Sequence, residues 1–125
     1  RGDYIVKNQT NNIYPIYGMD YYKKAIEIIS KELIDTPTFF IFSDDIPWCK
    51  ENFKWDNFYF ACEQNRPHED FHMMSICKHN IITNSTFSWW AAYLNKNTHK
   101  KVIAPKIWHY ESDTEDLTLK DWIII

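Results

Sequence analysis

Glycine and cysteine are scarce in this sequence, and long hydrophobic runs are absent. Only two glycines occur among 125 residues, and no low-complexity tract is visible. The three cysteines form no CxxC pair, which argues against a disulfide framework and favours free thiols in a reducing compartment. No apolar run approaches the roughly 20 residues that a transmembrane helix needs. We therefore expect a cytoplasmic protein without membrane spans, with peripheral association at the inner face of a membrane left open.

An excess of basic side chains is also missing. The chain carries 14 basic and 17 acidic residues, a net charge of −3. Because binding to nucleic-acid phosphates requires a basic surface, we expect no nucleic-acid partner. The proportions of apolar and charged residues, 45% and 25%, are typical of one folded domain over residues 1–125. The chain begins at Arg1 rather than at a methionine, so we expect its start to lie upstream or to have been removed.

Aromatic residues, in contrast, are abundant. They make up 18% of the chain, with six Trp, eight Tyr and eight Phe. Flat ring faces pack on the C–H surfaces of sugars, so this composition is common in sugar-handling proteins. A tightly packed small core also explains it, and composition alone favours that explanation.

The spacing of apolar residues predicts alternating strands and helices. Tyr22, Ile26, Ile29 and Leu33 fall on one face of a helix over 19–33. Short apolar runs predict strands at 39–42, 58–60, 81–83 and 101–104, separated by helices that include 67–79 and 87–94. The predicted order is β-α-β-α-β-α-β-α-β, with the first strand ahead of Met19.

This alternation predicts the α/β class, a parallel sheet covered by helices on both faces. Ligands of such sheets bind outside the carboxyl ends of the strands. The loops at 43–45, 63–68, 84–86 and 105–106 are therefore expected to line one rim.

A sequence of the HExxH type is the first candidate for chemistry at that rim. His68-Glu69-Asp70-Phe71-His72 would place two histidines one helical turn apart, where they could share a zinc ion with Glu69 as the base. The extended motif fails, however, because Ser75 and Lys78 stand where Gly and His are required. His79 lies 11 residues after His68, roughly 16 Å along a helix, which is too far to join the same ion. A zinc peptidase is therefore an unfavoured alternative.

The segment Asn84-Ser85-Thr86-Phe87-Ser88 carries more information. Small hydroxylated residues follow a strand and open a helix whose first amide groups lack partners within the helix. Such an end binds phosphate readily, although an ordinary N-cap explains the same residues.

Acidic residues near the strand ends offer a matching function. The carboxylates of Asp44, Asp45 and Asp70 could accept paired hydrogen bonds from guanine or from ribose hydroxyls. Each could instead be a solvated cap, and the helix dipole alone explains Asp70 in a first helical turn. Arg1 would complement a diphosphate with forked hydrogen bonds.

Four ordered blocks resemble the bacterial α-1,2-fucosyltransferases of glycosyltransferase family 11. Arg1-Gly2-Asp3-Tyr4 is similar to the end of the family's HxRRGDY motif, and 39–45 resembles the second block. The strongest similarity runs from Met74-Ser75 through 77–80 to 83–92. The stretch 102–106 with Trp108 resembles the fourth block.

This resemblance implies a two-domain enzyme with paired Rossmann-like halves, the GT-B arrangement. Such an enzyme transfers L-fucose from GDP-fucose to the 2-hydroxyl of a galactose-terminated acceptor, with inversion and without a required metal or other cofactor. The chain would be the C-terminal, donor-binding half, and the acceptor-binding half and the first histidine and arginine of the motif would precede Arg1. On its own it would be catalytically incomplete, with its general base unassigned.

The resemblance also implies roles for individual residues in the GDP-fucose site. Arg1 matches the arginine that faces the diphosphate and is the one candidate catalytic residue. Asp70 matches the carboxylate that holds guanine. Ser85, Thr86 and Phe87 match the loop around the phosphates, Ser88 supports that loop, and Asp44 is a helper in the donor pocket. The alternatives are a truncated GDP-binding module without activity and the zinc peptidase.

Overall fold

We describe the protein from a computed structural model, whose described residues are 13–62, 64–112 and 114–125. Their helices are α1 (Met19–Lys31), α2 (Ile46–Asn52), α3 (Pro67–Ile76), α4 (Thr86–Leu94) and a 3-10 turn (Glu115–Leu117). Their strands are β1 (Phe39–Ile41), β2 (Phe58–Phe60), β3 (Asn80–Ile81), β4 (Val102–Ala104) and β5 (Ile123–Ile124). The predicted α/β alternation is confirmed from α1 onward. Residues 13–18 form no strand, and the rest of the range for the strand expected ahead of Met19 lies outside the described residues.

The strands form two parallel groups. β1 pairs with β2, with Phe39 opposite Phe58 and Phe40 opposite Tyr59. β4 lies between β3 and β5, with Ile103 opposite both Ile81 and Ile123. Parallel pairing confirms the expected sheet type, but the described strands make two groups where one continuous sheet was expected.

Strand β4 shows that helices cover both faces of the larger group. Val102 and Ala104 point to one face, where they pack with Ala92 of α4. Ile103 points to the other face, where it packs with Ala25 and Ile29 of α1. Because successive side chains of a strand alternate between faces, α4 and α1 lie on opposite sides of β4. The predicted two-sided cover is confirmed here.

Helix α1 forms because its apolar residues recur at helical spacing. Tyr22 and Ile26 pack on the β1–β2 group, whereas Ile29 packs under β4. The helix ends at Lys31 rather than at Leu33, since the amide of Glu32 already bonds the carbonyl of Ile29 in a tightened last turn. Leu33 nevertheless packs against the same core.

The β1–β2 group buries only one face. Phe39 stacks on Phe58 at a centroid distance of 4.7 Å and packs with Cys49 of α2 and with Phe53, the residue that follows α2. On the opposite face, Phe40 and Tyr59 stack at 5.8 Å and remain 60% and 55% exposed. Eight aromatic side chains belong to or pack against the core clusters, and eight described ones are exposed, so the core explains only part of the aromatic content.

Strand β5 is the element that the sequence analysis missed. It is only two residues long and comes after the 3-10 turn, with buried Trp122 directly before it. Three successive isoleucines at 123–125 show neither alternation nor a following turn, so the sequence carries little strand signal there.

None of the described helices is both long enough and apolar enough to cross a membrane.

Candidate functional site

The loops that follow the strands form the candidate site, which we call the carboxyl rim. It comprises residues 42–45 after β1, 61–62 and 64–66 after β2, 82–85 after β3 and 105–110 after β4. Parallel strands within a group end at the same edge, so each group brings its following loops together. The edge is the one where ligands of such sheets bind.

Asp70 lies at this rim in the first turns of α3, where Pro67 starts the helix. The amide nitrogen of Asn65 donates to Asp70 Oδ1 at 2.8 Å, which fixes one carboxylate oxygen. The side chain is half-buried and lies near the N-terminus of α3 itself, where the helix dipole favours negative charge. Asp70 is thus held in place with one oxygen committed to the protein.

The segment 84–88 turns from β3 into α4. Ser85 is the N-cap residue and is 6% exposed, and its carbonyl accepts hydrogen bonds from the amide of Trp89 and from Ser88 Oγ, both at 2.9 Å. Thr86 is exposed at the first helical position. Ser88 thus acts on the backbone of Ser85, which agrees with a supporting position in the loop.

A ring contact joins these two parts of the rim. Phe71, the neighbour of Asp70, meets Phe87 edge-to-face at a centroid distance of 5.4 Å. Helices α3 and α4 pack along each other as well. The structure therefore brings Asp70 and the 84–88 segment, which are well separated in sequence, to one region.

Asn84 ties the rim to two further segments. Its side-chain amide donates to the carbonyl of Pro15 at 3.0 Å and to that of Trp108 at 3.3 Å, and the residue is 5% exposed. Tyr17 Oη donates to the carbonyl of Ile107, and the amide of Tyr110 donates to the carbonyl of Ile13. These hydrogen bonds therefore hold the start of the described chain and the loop after β4 together, and both of them to Asn84, which leads into α4.

Asp44 and Asp45 follow β1 at the other group. Asp45 is the N-cap of α2, and its Oδ1 accepts from the amide of Trp48 at 3.1 Å, so the capping explanation holds for this residue. Asp44 is exposed beside it. Below them, burial raises the pKa of the Cys49 thiol and raises the pKa of Tyr22 to about 12, so both groups stay neutral near pH 7.

Arg1 lies outside the described residues, as does Glu63 of the predicted 63–68 loop. Their predicted positions at the rim stay predictions. The same holds for the catalytic role that the resemblance implies for Arg1.

The HExxH segment has a structural use in α3. Glu69 accepts from the backbone amide of Arg66 at 2.7 Å and from its guanidinium at 3.1 Å. These bonds hold the pKa of the Glu69 carboxyl below its usual range, which suits a helix cap and weakens a general base. Within 13–62, 64–112 and 114–125, no three His, Cys, Asp or Glu side chains are arranged to hold a metal ion.

The opposite end of α4 is closed by hydrogen bonds. Lys100 Nζ donates to the carbonyls of Ala92, Tyr93 and Asn95 at 2.8, 3.0 and 2.7 Å. Asn95 in turn donates to the carbonyl of Cys77 and to Asn80 Oδ1. The Lys100 cation therefore satisfies carbonyls of the last turn of α4, and Asn95 ties that end to Cys77 and Asn80. The positive end of the α4 dipole lies at the rim.

Sequence reasoning missed two residues of the site, Asn65 and Phe71, and recognised Asn84 without its partners. Asn65, which orients Asp70, stands two residues before Pro67, and this spacing was the available signal. Phe71 joins the two halves of the rim through a contact that no local pattern announces. Asn84 was recognised as part of a cap, but its partners lie 69 and 24 residues away in sequence.

Comparison with known proteins gives one family. The profile of Glycosyl transferase family 11 matches residues 1–125. The O-antigen biosynthesis glycosyltransferase WbnK of Escherichia coli is 38% identical over 128 residues, which is 98% of this chain and 41% of that protein. The alpha-1,2-colitosyltransferase of Escherichia coli is 35% identical over 134 residues, which is 100% of this chain and 45% of that protein.

A mammalian relative shows the same relationship over a shorter stretch. Galactoside 2-alpha-L-fucosyltransferase SEC1 of Bos taurus is 33% identical over 98 residues, covering 75% of this chain and 26% of that protein. The chain therefore spans less than half the length of these three relatives. No solved structure matches it significantly.

Proposed function

This chain belongs to glycosyl transferase family 11, and we propose that it is the C-terminal, donor-binding half of a GT-B α-1,2-fucosyltransferase. The whole enzyme transfers L-fucose from GDP-fucose to the 2-hydroxyl of a galactose-terminated glycan, with inversion. The observation that carries the proposal is the joining of Asp70 and the 84–88 segment at one rim through Phe71 and Phe87. The family and the relatives support glycosyl transfer in general; the donor and acceptor are our inference.

Guanine recognition is assigned to Asp70. Its carboxylate would accept hydrogen bonds from N1 and from the exocyclic amine of guanine, a pair of donors that adenine does not offer. The bond from Asn65 holds one oxygen in place, so little side-chain entropy is lost on binding. Asp44 is assigned an auxiliary place in the same donor pocket.

The diphosphate is assigned to the start of α4. The amides of its first turn have no partners within the helix, and the hydroxyls of Ser85 and Thr86 stand beside them. Phe87 walls the pocket beside the phosphates, and Ser88 supports the loop through the carbonyl of Ser85. Arg1 is assigned to the same diphosphate as the catalytic residue that stabilises the leaving group.

The chemistry follows from the charge on the leaving group. The acceptor oxygen forms a bond to fucose C1 while the bond from C1 to the β-phosphate oxygen breaks, and its electron pair stays with GDP. Amide donors and Arg1, held in fixed positions toward that phosphate, stabilise the negative charge that develops on it in the transition state, which lowers the barrier. The acceptor proton passes to a general base that the proposal places in the other half of the enzyme. No metal ion or other cofactor is required.

Colitose transfer is a second candidate because a relative aligned over this whole chain is named for it. Colitose lacks one hydroxyl that L-fucose carries, and the two donors share the nucleotide diphosphate. The rim residues serve either donor equally. Rates measured with both donors and the full enzyme decide between them, since a site built to bond a hydroxyl rejects the analogue that lacks it.

An NMR titration with GDP, with ADP as control, tests the nucleotide site. We expect amide shifts at Asp70 and at 85–87 with GDP and not with ADP. Asp70→Asn should weaken GDP binding by about 10- to 100-fold, the loss of a charge-assisted pair. Asp56→Asn is the matched control, because Asp56 is exposed in the turn that precedes β2. Unchanged GDP affinity in Asp70→Asn would remove Asp70 from the site.

A second result separates a catalytic half from an inactive GDP-binding module. The full-length protein with GDP-fucose and lactose should release GDP and form a fucosylated product. GDP binding without transfer under these conditions would support the module and contradict the enzyme.

The metal-free part of the mechanism has its own test. Transfer by the full-length enzyme should continue in excess EDTA, because amides and Arg1 stabilise the leaving diphosphate. Activity that is abolished by EDTA and restored by Mn²⁺ would contradict this part alone.

A further inference from the structure

A cavity lies at the amino ends of β1 and β2, opposite the carboxyl rim. It has a volume of about 280 Å³, and its walls are the last turns of α1, the loop that leads into β1 and the turn that leads into β2. Each strand has three residues, so roughly 10 Å of sheet separates the cavity from the rim. The cavity is therefore separate from the region assigned to GDP.

The floor of the cavity is apolar and belongs to the core. It is formed by Ile26 of α1 and by Phe39 and Phe58, the stacked first residues of the two strands. All three belong to or pack against the cluster that contains Cys49 and Phe53. Because protein interiors are close-packed, the core fixes the positions of these side chains.

An exposed aromatic ring stands at the side of this floor. The indole of Trp55 lies 5.0 Å from the ring of Phe58 between centroids, with 33° between the ring planes, so one face of the indole rests on the floor. Trp55 is nevertheless 43% exposed, and this exposure falls on the other face and on the ring edge. The cavity therefore has a flat apolar surface at its mouth, supported from below.

Polar groups from three segments accompany this ring. They are Ser30 of α1, Asp35 and Thr36 of the loop before β1, and Asn57 of the turn before β2. The side-chain amide of Asn57 donates to the carbonyl of Pro37 at 2.7 Å. This bond positions Asn57 and does not use its Oδ1, which is an acceptor.

A flat ring beside carboxylate, hydroxyl and amide groups is complementary to a pyranose sugar. One face of a β-galactose ring carries a run of C–H groups, which pack on an aromatic face, and its hydroxyls bond to carboxylate and amide oxygens. An apolar floor with a few placed polar groups is also the usual form of a small-molecule site, and the volume suits a ligand of about one sugar ring.

Charge argues against two other small ligands. Of the described residues that line the cavity, only Asp35 is charged, so a phosphate would meet a negative charge with no cation to offset it. An organic cation would suit Asp35, but cation recognition commonly uses a cage of several open ring faces. Phe39 and Phe58 stack on each other, so among the lining rings Trp55 is the one with an open face.

We propose that this cavity is a second carbohydrate-binding site, which stacks a neutral pyranose on Trp55 and bonds its hydroxyls through Asp35 and Asn57. Because the cavity lies away from the rim, it binds sugar without a nucleotide and takes no part in making or breaking bonds. The site does not rest on the proposed fucosyl transfer.

Titration of the full-length protein with methyl β-D-galactopyranoside, without nucleotide, tests the site. We expect the indole N–H resonance of Trp55, assigned by its loss in Trp55→Ala, to shift and reach saturation. Sorbitol is the control ligand, because this acyclic polyol has hydroxyls but no ring face, and it should leave the resonance unshifted.

Variants test the ring. Trp55→Ala, followed at the backbone amide of Asn57, should weaken galactoside binding about 10-fold because the stacking surface is lost. Trp48→Ala is the matched control. Trp48 is 36% exposed and lies 6.2 Å from Phe53 between ring centroids, as Trp55 does, but it does not line the cavity. Its loss should leave galactoside affinity unchanged.

A second pair of variants tests the carboxylate without touching the core. Asp35→Ala should weaken galactoside binding about 10-fold, since a charge-assisted hydrogen bond is lost. Asp35 is exposed, so this variant keeps its fold even if Trp55→Ala does not. Asp56→Ala is the control, because Asp56 is exposed and adjoins Trp55 in sequence but does not line the cavity.

Four results would overturn the proposal. They are a Trp55 resonance without a saturable shift up to about 100 mM galactoside, equal shifts with sorbitol, tighter binding of tetramethylammonium than of the galactoside, and a Trp55 indole that a soluble paramagnetic probe cannot reach in the sugar-free full-length protein. The third would assign the cavity to a cation, and the fourth would mean that another part of the protein fills it. None of these measurements involves a nucleotide, so their outcome is separate from that of the GDP site.

Discussion

Strands β4 and β1 have the same length and similar apolar sequences, yet their surroundings differ. Val102, Ile103 and Ala104 of β4 are each at most 1% exposed, with helices on both sides. In β1, Phe40 is 60% exposed and Phe39 is covered on one face only. Among the described residues, β4 is thus covered on both faces, whereas β1 is covered on one face and open on the other.

The same contrast holds at the ends of the two groups. Side chains of Asn80, Asn95 and Lys100 close the region where β3 begins and α4 ends. At the amino end of β1, one comparable bond runs from Asn57 to the carbonyl of Pro37, beside an open cavity of about 280 Å³ lined by Trp55. Local stability is thus expected to be higher around β4 than around β1.

Truncating a residue of each strand should expose this difference most strongly. Ile103→Ala leaves a cavity where α1 and β4 meet and should cost about 2–5 kcal/mol of unfolding free energy. Phe40→Ala, in the exposed face of β1, should cost about 1 kcal/mol or less. Urea unfolding of both variants checks the pair. Equal losses would mean that β1 is as well covered as β4.

Removing the cation at the end of α4 should have an intermediate effect. Lys100→Met deletes three charge-assisted bonds to carbonyls and should cost about 1.5–3 kcal/mol. Lys101→Met is the control, since the described ion pair of Lys101 is with the exposed Glu32, and such surface pairs contribute little to stability. A Lys100 loss no larger than the Lys101 loss would show that helix packing alone fixes this end.

Acidification should have the smallest effect, and it should come from the same region. His79 Nδ1 accepts the amide of Lys101, and burial, with Lys101 and Lys78 nearby, holds the pKa of His79 below its usual 6.5. The unfolded chain then binds more protons just below pH 6.5. This contribution to stability is therefore complete above that pH and lost as pH falls through the folded-state value.

The pH profile of a variant isolates this contribution. His79→Gln should flatten the fall in unfolding free energy below about pH 6.5, because the variant lacks the group whose pKa is lowered by folding. A wild-type slope that persists in His79→Gln would assign the pH dependence to other groups.

The sequence predicts those parts of the fold that depend on local patterns. Helical spacing in α1, Pro67 at the start of α3 and the apolar run of β4 each indicate their element within a few residues. Boundaries shift where backbone bonds decide, as at Glu32, or where a strand shortens to Asn80–Ile81. The division of the strands into two groups could not be predicted, because strand pairing depends on contacts between distant parts of the chain.

The candidate site divides in the same way. The rule that ligands bind at the carboxyl ends of strands indicated the loop around Ser85, and the proline indicated a helix start near Asp70. The bonds that fix these residues come from Asn65, Asn84 and Phe71. Asn65 bonds the nearby carboxylate of Asp70, whereas the partners of Asn84 and Phe71 are backbone carbonyls and a ring that the fold brings close. One sequence contains no record of such distant pairs.

The alternation of β4 also limits how this chain can change length during evolution. Its central isoleucine fills one core while both neighbours fill another, so inserting or deleting a single residue would turn every side chain toward the wrong core. A change of two residues would return each side chain to its original face of the sheet, but it would shift the following loop along the rim. Insertions are therefore tolerated in the surface loops between elements, and β4 serves as a fixed reference against which those loops vary.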